Sequence, residues 1–120
     1  MRDLSGLKIL IVEDEGLVAL MIEDMLQDLG CEVIASVSRL ADAQAIATKA
    51  EVDLAVLDVN LAGERSFSVA EILHKRQIPF IFSTGYGIEG LPDEFGSHPI
   101  IGKPFSLVDL QQIIADVVGD

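Results

Sequence analysis

The chain has 120 residues, half of them apolar, which is the size of one domain with a proper core and excludes a disordered polar polymer. Its 20 acids against 8 bases give a formal net charge of −12. Such a surface repels phosphate backbones, so nucleic-acid binding is not expected, and no apolar run reaches the ~18–20 residues that cross a bilayer.

The opening "MRDLSGLKIL" lacks the positive region and long apolar block of a signal peptide. Cys31 is the single cysteine, so no internal disulfide forms, and a reduced, cytoplasmic setting is expected. "KILIV" (8–12) reads as a buried strand. Between Gly16 and Leu29, apolar Val18, Met21, Ile22, Met25 and Leu29 recur at helical spacing, and Gly30 sits where a helix end favours glycine. Leu17, Leu20 and Leu26 widen that stripe, through ordinary packing or as a docking face for a kinase helix.

"CEVIASV" reads as a second strand. Ser38 is the expected N-cap of a helix running to about Ala50, with Leu40, Ala43, Ala47 and Ala50 on one side. "LAVLD" is the third strand, followed by a glycine-bearing loop and a helix over about 68–76. "PFIFST" is the fourth strand and "PII" a short fifth. Ser106 and Asp109 form a predicted capping box for a last helix whose Leu107, Leu110, Ile114 and Val117 face inward. Between Gly85 and Pro99, glycines and prolines cost a helix roughly 1 and 3 kcal/mol each, so a loop with at most a helical turn is expected there.

Strands that alternate with helices and are apolar throughout imply a doubly wound α/β domain with a parallel sheet covered on both faces. Ligands bind such sheets beyond the carboxyl ends of the strands. Those ends are polar here: Glu13-Asp14-Glu15, Asp58, Ser83-Thr84, and Lys103 after Gly102. Crowded carboxylates repel, and at least one stays protonated unless a cation compensates. A hard divalent ion such as Mg²⁺ takes one or two carboxylates and keeps several waters. That leaves Asp58 free to act as a nucleophile toward phosphorus, with Lys103 and the Thr84 hydroxyl to neutralise the transferred group. Each residue also has a plainer reading: helix-opening acids, an Asx turn at Asp58, a turn hydroxyl at Thr84, a surface lysine at Lys103. His74 and His98 are expected at the surface with no role.

Four motifs in order, "ILIVEDE", "AVLDVNL", "FIFSTGY" and "GKPF", resemble a response-regulator receiver domain over essentially the whole chain. The resemblance implies a flavodoxin-like five-stranded parallel sheet in the order 2-1-3-4-5, with a weak fourth helix. It implies that Asp58 accepts a phosphoryl group from a sensor histidine kinase or histidine phosphotransfer protein. Mg²⁺ would be bound by Glu13, Asp14, Asp58 and the backbone carbonyl of Asn60. Thr84 would bond the phosphoryl oxygen, and Lys103 would pair with it in a loop shaped by Pro104, following a cis bond. The resemblance implies a switch rather than a metabolic enzyme. "PFIFSTGYG" further resembles the FAT GUY subgroup, receivers with an altered fourth-helix region and often no output domain. Residues 1–120 are accordingly expected to be one receiver domain, a monomer or weak dimer, signalling through an unknown downstream protein.

Ile100 stands where receivers commonly place a switching aromatic, so Tyr86 is the expected substitute gate. A haloacid-dehalogenase-like phosphatase is the enzymatic alternative, but it wants a second acid two residues after the nucleophile, where Asn60 stands. A degenerate receiver binding partners without phosphorylation is disfavoured because acceptor, acids, hydroxyl and lysine are all present. A dinucleotide-binding domain lacks its G-x-G-x-x-G after the first strand.

Overall fold

The structure, a computed structural model, describes residues 4–85 and 99–119. The loop expected between Gly85 and Pro99, with Tyr86 and His98, lies outside the described residues. Five strands, β1 (Lys8–Val12), β2 (Glu32–Val37), β3 (Leu54–Asp58), β6 (Phe80–Thr84) and β7 (Ile100–Gly102), form one parallel sheet in the order β2-β1-β3-β6-β7. The order is the expected one, because the intervening β4 (Asn60–Leu61) and β5 (Glu64–Arg65) form a separate small hairpin. The helices are α1 (Gly16–Asp28), α2 (Leu40–Lys49), α3 (Phe67–Lys75) and α4 (Leu107–Val118).

Side chains alternate across a strand, so each strand feeds two cores. Leu10, Val12, Ala55, Leu57, Phe80 and Phe82 pack with Ala43 and Ala47 of α2 and Val69, Ala70 and Leu73 of α3. Phe82 meets Phe67 and Phe80 edge to face, with ring centroids 6.0 and 5.4 Å away. Ile9, Ile11, Leu54, Val56, Ile81 and Ile101 pack on the other face against Ile22 and Leu26 of α1 and Leu110 and Ile114 of α4. This alternation also decides which face each strand-end polar residue takes.

Several sequence-level expectations are corrected. The buried stripe of α1 runs through Ala19, Ile22 and Leu26, so Leu26 is core rather than surplus. Leu17 and Leu20 remain 85% and 54% exposed. Ser38 does not cap α2; Arg39 occupies the cap position with extended backbone and no side-chain cap, because the helix begins one residue later than the serine requires. In α4, Leu107 is exposed, since it opens the first turn ahead of the inward-facing Leu110. Strand β2 lies at the sheet edge and is only half-buried, and its pairing with β1 shifts by one residue between Ile9 and Leu10, leaving Ile34 as the extra residue of a bulge.

The capping box is present: Asp109 N–H donates to Ser106 Oγ and Ser106 N–H to Asp109 Oδ2, both at 3.1 Å. The β4–β5 hairpin turns on Ala62 and Gly63, at φ 51° and 92°. Two consecutive positive values are what a tight two-residue hairpin demands, and glycine meets the demand without strain where alanine does not.

Candidate functional site

The polar residues at the sheet's carboxyl rim continue the apolar rows beneath them. Glu13 comes two residues after Ile11, Asp58 two after Val56, Ser83 two after Ile81 and Lys103 two after Ile101. All four therefore belong to the face covered by α1 and α4. Asp58 pairs in register with Ser83 on the neighbouring strand. Glu13 follows Val12, which pairs with Leu57, so Glu13, Asp58 and Ser83 form one lateral row at the end of three adjacent strands.

Lys103 closes this row from the edge. Its Nζ lies 2.8 Å from Glu13 Oε1 and 3.2 Å from Asp58 Oδ2. The second contact is a hydrogen bond; the first is a close ion pair to the buried Glu13 Oε1, which has no other partner among the described residues. The Lys103 backbone N–H donates to the Thr84 carbonyl at 2.9 Å, and the Lys103–Pro104 peptide is cis. Thr84 itself is buried at the end of β6.

Asp14 approaches from the other side, half-buried, and its Oδ2 accepts from the Ala62 N–H at 3.0 Å. The hairpin thus ties the acid pair of β1 to the loop that follows Asp58. Asn60 N–H donates to Asp58 Oδ1 at 3.2 Å, while Asn60 Oδ1 accepts from Gly63 N–H at 2.9 Å. Glu13 Oε2 accepts from Glu15 N–H at 3.1 Å. Neither the hairpin nor the Asp14–Ala62 bond is foreseeable from spacing alone, because a two-residue strand carries no period. Ser83 was visible as a strand-end hydroxyl but carried no expected role.

Carboxylate oxygens of Glu13, Asp14 and Asp58 all lie within 4.8 Å of one another. Burial first, and then the neighbouring Glu13, push the Asp58 carboxyl from 3.8 up to about 7; Lys103 and the Asn60 N–H pull the other way and do not prevail. For Lys103, burial disfavours the charge, but Glu13 and Asp58 outweigh it and its pKa rises. An oxygen-only donor set, three carboxylates crowded within 4.8 Å and a carboxyl held so high are the conditions that a hard divalent cation relieves, so these residues fit such an ion. An open groove of about 620 Å³ between α1 and β2 reaches Glu13 and Asp14.

Residues 9–115 match the family model of the response regulator receiver domain. The chain belongs to the receiver family. Receivers serve two-component signalling, and this chain is a module of that kind. The receiver is 40% identical to SdrG from Sphingomonas melonis Fr1, with a TM-score of 0.82 over 96% of this chain and 97% of that one. It superposes with a TM-score of 0.83 on the receiver domain of the sensor histidine kinase PA1611 from Pseudomonas aeruginosa PAO1. That pair is 26% identical over 97% of this chain and all of the other, and the PA1611 structure has a magnesium ion coordinated in its active-site cleft. The transcriptional regulatory protein PdtaR of Mycobacterium tuberculosis is 29% identical over 107 residues, 86% of this chain and 52% of PdtaR. The receiver spans about half the length of the curated relatives it matches. Among the described residues no helix is long and apolar enough to cross a membrane.

Proposed function

We propose that Asp58 is the phosphoacceptor of a signalling switch. It is charged from the phosphohistidine of a sensor kinase or phosphotransfer protein and read by a downstream protein partner. The observation that supports this most strongly is the placement of Asp58 between Glu13 and Asn60 with Lys103 Nζ 3.2 Å from its carboxylate. In the transfer, an ionised Asp58 oxygen attacks phosphorus, the P–N bond breaks, and the imidazole leaves with its electron pair. The product is an acyl phosphate on Asp58.

Glu13, Asp14, Asp58 and the Asn60 backbone carbonyl are the residues that would hold Mg²⁺. When bound, the ion supplies positive charge against the three carboxylates and the incoming phosphoryl oxygens. Lys103 holds its ammonium beside the same carboxylate, and its backbone N–H bond to the Thr84 carbonyl anchors the loop as the charge moves from carboxylate to phosphoryl. Thr84, at the end of the adjacent strand, offers a hydroxyl to the phosphoryl oxygen. The bound group adds a charge of about −1.5 to −2, which alters the rim and hence partner affinity. The chemistry is confined to the chain's own phosphorylation and slow dephosphorylation, which makes it a switch rather than a metabolic enzyme, acting in the cytoplasm where kinases of this class present phosphohistidine.

The test is intact mass after incubation with Mg²⁺ and a small phosphodonor such as acetyl phosphate. Wild type gains one phosphoryl mass and Asp58→Asn does not. An unmodified wild type, or a modified Asp58→Asn, refutes the assignment.

A further inference from the structure

Among the described residues the Ser83 side chain has no partner that accounts for it. It is 1% exposed, and its Oγ makes no hydrogen bond to any of them. A buried hydroxyl left in that state is destabilising, and an alanine or valine would avoid the cost in a strand that is otherwise apolar. Ser83 pairs in register with Asp58, and it continues the row of Ile81 on the face shared by Asp58, Glu13 and Lys103. Neighbouring strands stand ~4.8 Å apart, so the hydroxyl has the acidic row within reach of a side-chain rotation. The row also contains Glu13 Oε1, buried and held by the Lys103 ammonium at 2.8 Å. A hydroxyl donor without an acceptor therefore lies on the same face of the rim as a carboxylate oxygen that can accept from it.

We propose that Ser83 is a positioning residue of the acidic rim: its hydroxyl donates to the carboxylates that would hold a divalent cation, and so sets the cation's affinity. The inference rests on the proposed phosphoacceptor reading and deepens it. Groups that orient metal-binding carboxylates from behind typically change metal affinity 10–100-fold when removed. The two consequences of deleting the hydroxyl have opposite signs. Without the ion, the fold loses an unsatisfied group and keeps or gains stability. With the ion, the carboxylates lose a donor and binding weakens.

The experiment is Mg²⁺ titration of wild type, Ser83→Ala and Ser83→Thr, read by calorimetry, with melting temperature in EDTA as the second measurement. Ser83→Ala is expected to melt at or above wild type in EDTA and to bind Mg²⁺ about tenfold more weakly. Ser83→Thr, which retains the hydroxyl, restores most of the affinity. Unchanged Mg²⁺ affinity in Ser83→Ala overturns the proposal. So does a Ser83→Ala protein that melts below wild type or fails to fold, because the hydroxyl is then structural. Failure of the broader reading shows separately, as wild type that takes no phosphoryl group from acetyl phosphate.

Discussion

Asp58→Asn should make the metal-free protein more stable above neutral pH, although it removes the proposed reactive group. The folded protein holds the Asp58 proton up to about 7, against 3.8 for an ordinary aspartate. Below the ordinary value both folded and unfolded chains are protonated, and Asp58 contributes no pH dependence. As the pH rises from about 4 to about 7, the unfolded chain ionises freely while the folded chain does not, so wild-type stability falls. At 1.36 kcal/mol for each pKa unit, a displacement of about 3 units comes to roughly 4 kcal/mol once the pH is past 7. Asparagine has nearly the same shape and nothing to ionise; it also forfeits the Lys103 contact, so a net gain of about 2–3 kcal/mol is expected at pH 8. At about 4 °C per kcal/mol for a chain of this length, that is roughly 8–12 °C in Tm. The assay is thermal melting followed by circular dichroism at pH 5.5, 7 and 8, in EDTA and in Mg²⁺. The variant's advantage should be small at pH 5.5 and full at pH 8. Saturating Mg²⁺ should close the gap by stabilising wild type, by about 2.7 kcal/mol at a hundredfold excess over Kd. Parallel Tm-versus-pH curves for the two proteins in EDTA would refute the reasoning.

Lys103→Met leaves Glu13 and Asp58 without their cation and should cost about 3 kcal/mol at pH 8 by urea unfolding. The cost should be smaller at pH 5.5, where Asp58 carries a proton; an equal loss at both pH values contradicts the coupling. Leu26→Ala should cost about 3 kcal/mol, whereas Leu20→Ala on the exposed flank of the same helix should stay within about 0.5. Comparable losses would mean that the helix is rotated from its described face. Ala62→Gly should raise stability by about 1 kcal/mol, since φ 51° strains any residue with a Cβ; a lower denaturation midpoint would show that the hairpin turns differently.

Much of the fold was legible because its elements are long enough to carry a period. Five apolar runs separated by helical stripes imply a doubly wound parallel sheet, the resemblance to receivers supplies its strand order, and the strand-end rule names Glu13, Asp14, Asp58, Thr84 and Lys103 without any coordinates. The capping box at Ser106 was equally readable, since its two partners sit three residues apart. Where local signals compete, the reading slipped. α1 is apolar on more than one side, so spacing alone did not show that Leu26 and not Leu20 enters the core. Ser38 is a good capping residue one position too early.

The sequence by itself determined which residues arrive at the rim, because side-chain alternation and the polarity of strand ends are local properties. Only the tertiary structure decided how they meet. The Lys103 bridge spans 45 residues of chain to Asp58, and the Asp14–Ala62 bond spans 48. The unpaired Ser83 hydroxyl likewise has meaning only beside Asp58 on the adjacent strand. Distances of that kind depend on strand order and register, which no neighbouring residue encodes.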